Sequence, residues 1–128
     1  MNEKHPKIVI VDDEPNDWFL KIFVGRLQRS GFAIAVLEAN VNSEAMLQRV
    51  EDEQPKLVIT DLNWGNKLGE EGILLFRALA DAQIPSILYS SNPHVVEEYS
   101  HNEGQAIHSK GDPMEIVIAT INRLLSEQ

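Results

Sequence analysis

Four short apolar runs each stop at a polar residue, and the stretches between them carry apolar residues at helical spacing. Ile8–Val11 stops at Asp12-Asp13, Leu57–Thr60 at Asp61, Ile87–Tyr89 at Ser90, and Ala106–Ser109 at Lys110. Short β-branched runs alternating with longer amphipathic segments are the pattern of βα units around a parallel sheet. Strands are predicted near 7–12, 33–38, 57–61, 86–90 and 105–109. They read as near-continuously apolar, as strands covered on both faces should.

The intervening segments predict five helices. The first runs from Pro15 to near Ser30, with Gly31 as the residue after its cap, and buries Phe19, Ile22, Phe23 and Leu27 with Trp18 beside them. The second covers about 43–53 with Ser43 as N-cap. The third covers about 70–82 and turns Ile73, Leu74, Phe76, Leu79 and Ala80 inward, and a short fourth lies near 93–100. The last is capped by Asp112, with Pro113 in its first turn and Glu115 placed as in a capping box. Met114, Val117, Ile118, Ile121 and Leu125 form its core stripe, and Ile116 faces away as a single exposed apolar residue. No repeat, low-complexity segment or linker interrupts this order, so one domain is expected over 1–128.

If the four runs are neighbouring parallel strands, Asp12, Asp13, Asp61, Ser90 and Lys110 gather at one sheet edge. Ligands of open α/β sheets bind there, where the strand order reverses. Three carboxylates so close repel one another, and a hard divalent cation relieves the repulsion. Mg²⁺ takes oxygen ligands and keeps several waters, so one or two aspartates and a backbone carbonyl, that of Asn63, would suit it. An aspartate beside such an ion can accept a phosphoryl group. Asp61 is the expected acceptor because it ends the central strand, leaving Asp12 and Asp13 to hold metal. Lys110 and the Ser90 hydroxyl would stabilise charge on the phosphoryl oxygens.

Composition narrows the alternatives. The chain carries a formal net charge of −9 and its eleven Lys and Arg are scattered, which argues against direct binding of nucleic acid. No window approaches the roughly 20 apolar residues of a membrane span, and no signal-peptide core follows Met1. With no cysteine, disulfides and thiolate chemistry are excluded. A cytoplasmic protein is the expectation. His5, His94, His101 and His108 show no zinc-ligand spacing and are expected as solvated loop or strand-end residues.

The segments IVIVDDEP (8–15), PKLVITDL (55–62), PSILYSS (85–91) and Ser109-Lys110 together resemble the receiver domain of two-component response regulators over nearly the whole chain. The resemblance implies a flavodoxin-like (βα)5 fold, a doubly wound parallel five-stranded sheet of order 2-1-3-4-5. It implies a signalling switch rather than an enzyme, with Mg²⁺-dependent phosphorylation of Asp61 by a histidine kinase or a histidine phosphotransfer protein. The output would be an unidentified protein partner or onward phosphoryl transfer. A homodimer through the face of the fourth helix, fifth strand and fifth helix is one expected association. Both a stand-alone regulator and a receiver excised from a longer protein satisfy the pattern.

Departures from the family are specific. The loop after Asp61, from Asn63 through Trp64 to Glu71, is longer than usual and lacks the usual Pro. Gly111 stands where Pro usually follows the Lys through a cis bond, so a trans peptide is expected. Ile107 occupies the position of the aromatic switch residue. These changes leave open a second reading, a receiver-fold interaction module that works without phosphorylation. A flavin-binding protein is disfavoured by Asp12-Asp13-Glu14 where a phosphate loop would need small and hydroxyl residues. A phosphatase of the haloacid dehalogenase type is disfavoured by Asn63 where a second acid would stand.

Overall fold

A computed structural model of the chain describes residues 5–61, 70–91 and 103–127. Five parallel strands, β1 (Lys7–Asp12), β2 (Ala33–Glu38), β3 (Leu57–Asp61), β4 (Ser86–Ser90) and β5 (Gln105–Ser109), form one sheet of order β2-β1-β3-β4-β5. All five fall where the apolar runs predict them. The described helices are α1 (Trp18–Arg29), α2 (Ser43–Asp52), α3 (Glu70–Asp81) and α4 (Met114–Ser126). The short helix expected near 93–100 lies outside the described residues.

Alternation along the strands divides the core into two layers. Ile8, Ile10, Leu57, Ile59, Ile87 and Tyr89 join Leu20, Phe23 and Leu27 of α1 and Val117, Ile121 and Leu124 of α4. On the other face Val9, Val11 and Val58 pack with Met46 and Val50 of α2 and Leu75 and Leu79 of α3. A smaller cluster joins Ile73 and Phe76 of α3 to Leu88 and Ile107. β1, β3 and β4 are covered on both faces. β2 departs from the expectation: it is an edge strand, only partly buried, with Ala33 exposed and Val36 at the surface.

The helices correct several details. α1 begins at Trp18 rather than Pro15, because the Asp17 carboxylate accepts the N–H of Leu20 and caps it. Its inward residues are Leu20, Phe23 and Leu27, while Ile22 and Trp18 are exposed. α2 is capped by Asn42, whose Oδ1 accepts Ala45 N–H at 2.9 Å, so Ser43 is its first helical residue. In α3 Leu75 is buried and Leu74 exposed. α4 buries Leu124, with Met114, Ile118 and Leu125 only partly covered, and Ile116 does face outward. Asp112 does not cap α4: the N-cap is Pro113 and makes no side-chain bond.

Candidate functional site

From β1 the chain runs to β2 on one side and then returns across the sheet to β3 on the other. The strand order therefore reverses between β1 and β3, which opens a crevice at their carboxyl ends. Val11 pairs with Thr60, which sets the following Asp12 and Asp61 at the same level on either side of that crevice. Oxygens of Asp12, Asp13 and Asp61 all lie within 4.8 Å of one another, a group that could hold a metal ion. Asp12 and Asp61 are buried and Asp13 is exposed. Asn63 lies outside the described residues, as do Trp64 and most of the loop they belong to.

The opposite charge arrives from the fourth and fifth strands. Lys110 donates its backbone N–H to Ser90 O at 2.6 Å, continuing the β4–β5 pairing by one residue past Ser109. From that base its ammonium reaches 3.2 Å from Asp61 Oδ2 and 4.0 Å from Asp12 Oδ2. The same ammonium lies 6.0 Å above the Tyr89 ring, which stacks on Phe23 with centroids 4.9 Å apart. Aromatic surface thus floors the crevice. Ser90 is fully buried and follows Tyr89, the register partner of Asp61. By strand alternation Ser90 belongs to the face of Ser86 and Leu88, opposite to that of Asp61.

Electrostatics record the crowding. Burial pushes the Asp12 carboxyl up to about 6, with the Asp61 and Asp13 charges adding to the rise. The Glu14 N–H, 2.8 Å from Asp12 Oδ1, and the Lys110 charge act the other way. Asp13 is also raised, first by desolvation and then by Asp61 and Glu14. Tyr89 is pushed up to about 12, chiefly by burial and then by the Asp112 charge. A buried, mutually repelling carboxylate set with one ammonium on it has the donor chemistry that Mg²⁺ takes, so these residues fit the ion.

Two features near the site are missed by the sequence reading. Asp112 turns back toward β5, where it accepts from His108 Nδ1 at 2.7 Å and from Ser109 N–H at 3.2 Å. His108 is consequently not a solvated strand-end residue: its side chain is 12 % exposed, and its Nε2 lies 2.8 Å from Thr120 Oγ1. An Asp four residues after a His is the available signal, but the spacing crosses a strand end and a turn, where no periodic rule applies. A groove of about 120 Å³ also opens beside Lys110, bounded by Phe19, Ile22, Phe23, Tyr89, Asp112 and Met114. His5 is exposed as expected, while His94 and His101 lie outside the described residues. No cis peptide occurs among the described residues, so Lys110–Gly111 is trans.

No family model matches the chain, and no curated protein matches it. Solved structures do. The receiver domain of the PhyR response regulator of Erythrobacter litoralis superposes with a TM-score of 0.74 at 22% identity, covering 97% of this chain and 92% of that one. A response regulator receiver protein from Sinorhizobium medicae gives 0.72 at 17% identity, covering 96% of each chain. The BeF3-activated N-terminal receiver domain of Klebsiella pneumoniae RstA gives 0.69 at 24% identity, covering 93% and 97%. With these superpositions and nearly complete coverage on both sides, the chain has the fold of the response-regulator receiver domain.

Proposed function

We propose that this chain is a single phosphoacceptor receiver domain spanning residues 1–128, a cytoplasmic signalling switch in a two-component pathway, with Asp61 as the acceptor. The observation that carries the reading is the Lys110 ammonium 3.2 Å from Asp61 Oδ2, inside a cluster of three carboxylates at the sheet's reversal point. A structural salt bridge needs one acid; two further acids converging on it suit a site that takes a cation and a phosphoryl group. Asp12, Asp13 and Asp61, with the Asn63 carbonyl, would hold Mg²⁺. When bound, that ion supplies positive charge against the carboxylates and a ligand position for a phosphoryl oxygen.

The chain's own groups do the rest. An Asp61 oxygen attacks the phosphorus of a phosphohistidine on a histidine kinase or phosphotransfer protein. The phosphorus–nitrogen bond breaks, and its electron pair leaves with the imidazole. Lys110 is placed to move from carboxylate to phosphoryl oxygen. Ser90, one residue past the register partner of Asp61, would bring its hydroxyl to the phosphoryl group as the end of β4 shifts toward it. That shift, linked to β5 through the Lys110–Ser90 bond, is the means by which the added charge of about −1.5 to −2 alters the β5 and C-terminal helix face that partners read.

Incubation with Mg²⁺ and phosphoramidate followed by intact mass measurement tests this. A single phosphoryl adduct, absent without metal and absent in Asp61→Asn, is the expected result. A second reading, an interaction module independent of phosphorylation, draws on Ile107: it is packed with Ile73, Phe76 and Leu88 and has no aromatic ring to swing. Absence of any adduct together with partner binding that survives Asp61→Asn favours it.

A further inference from the structure

We propose that His108 and Asp112 are positioning residues for Lys110, locking the turn from which its ammonium reaches Asp61. The inference rests on the phosphoacceptor reading and adds to it. Lys110 is followed by glycine, which leaves the backbone permissive at the point where the chain turns out of β5. Four bonds close that turn instead. Gly111 N–H donates to Ser109 Oγ at 3.1 Å, and Asp112 N–H to Ser109 O at 3.0 Å. Asp112 Oδ2 takes both Ser109 N–H and His108 Nδ1–H. On its other side His108 Nε2 lies 2.8 Å from Thr120 Oγ1, which ties the brace to the C-terminal helix.

An Asp before a helix usually caps it. Here α4 has no side-chain cap, and the carboxylate that could supply one grips the two residues before Lys110. His108 sits opposite Tyr89 in the β4–β5 register, beneath the lysine's path. A long lysine side chain loses rotamer freedom when ordered, so a loose base costs it its place. The brace fixes that base without touching the carboxylate cluster.

The test compares His108→Leu, which removes the donor, with His108→Asn, which restores an N–H near Nδ1, and with Asp112→Ala, a change at a surface turn. Beryllofluoride affinity in Mg²⁺, Mg²⁺ affinity alone and hydrogen exchange of the Lys110 amide are read on each. Loss of the bonds to the Asp112 carboxylate should weaken beryllofluoride about fivefold or more in His108→Leu and Asp112→Ala, with recovery in His108→Asn and Mg²⁺ affinity unchanged. The Lys110 amide should exchange about fivefold faster in the same two variants. Unchanged beryllofluoride binding, or equal losses for beryllofluoride and Mg²⁺, overturns the positioning role. If wild-type protein binds no beryllofluoride, the phosphoacceptor reading falls, and amide exchange still decides whether the brace holds Lys110. Should His108→Leu fail to fold, Asp112→Ala carries the same comparison.

Discussion

The Lys110 ammonium sits 3.2 Å from Asp61 Oδ2, so the carboxylate proposed as acceptor carries a counter-ion supplied by the protein itself. On the proposed reading the cation has two tasks, shielding a carboxylate before transfer and a phosphoryl oxygen after it. Lys110→Ala should therefore split the two ligands. Mg²⁺ affinity holds or tightens, because a competing positive charge is gone. Phosphorylation by phosphoramidate slows by about tenfold or more, since a lost charge-assisted bond is worth about 1.5–3 kcal/mol. Calorimetry for Mg²⁺ and intact mass against time measure the pair; parallel loss of both would contradict this division of roles.

The carboxylate cluster should make Mg²⁺ binding and metal-free stability respond oppositely to pH. Asp12 titrates near 6 in the folded protein against an ordinary 3.8, so between those values the folded state binds more protons than the unfolded. This group's contribution to stability therefore falls as pH rises through that window, and metal-free protein gains from it on acidification. Protons compete with Mg²⁺ for the same oxygens, so affinity drops by about tenfold per pH unit below 6. Asp12→Asn should raise the metal-free melting temperature at neutral pH and remove this component of its pH dependence. Thermal melts of both proteins across that range decide it.

The strands were legible because each is a short apolar run with a polar stop, and all five lie where those runs are. The convergence of Asp12 and Asp61 was legible once their strands were neighbours. Helix faces were harder. Leu20 and Ile22, or Leu74 and Leu75, are apolar neighbours that periodicity cannot rank, and the tilt of each helix on the sheet chooses between them. Asn42 and Ser43 are both good caps, and only backbone geometry selects Asn42. The exposure of β2 follows from the sheet order rather than from its own residues. The strand order itself came from the family resemblance. The bonds of Asp112 depend on a turn that no pattern announces.

Ile107 is packed, not poised. It is 8 % exposed among Ile73, Phe76 and Leu88. Ile107→Ala should cost about 2–4 kcal/mol through the cavity it leaves. Ile107→Tyr should not restore an aromatic switch at no cost: the added ring and hydroxyl overfill an aliphatic pocket, at about 1–3 kcal/mol. Urea midpoints of the two variants report these values. A Tyr variant as stable as wild type would mean that the pocket opens readily and that position 107 can still move.

Two glycines that punctuate the chain should behave in opposite ways. Gly31 follows α1 at φ +100, where its N–H reaches Gln28 O at 3.0 Å and Phe32 N–H reaches Leu27 O at 3.2 Å. An added Cβ would meet nothing within 4 Å, so the penalty of Gly31→Ala is conformational alone, about 1–2 kcal/mol. Gly111 has no positive φ, and a Cβ there comes only to 3.6 Å from Ser109 Oγ, an ordinary contact. Gly111→Ala should be neutral or stabilising by about 0.4–1 kcal/mol, because it restricts the unfolded chain. Its phosphorylation rate should match wild type, since the N–H to Ser109 Oγ is kept. A Gly111→Ala protein that folds stably yet accepts phosphoryl groups slowly would show that the turn beside Lys110 must flex during transfer.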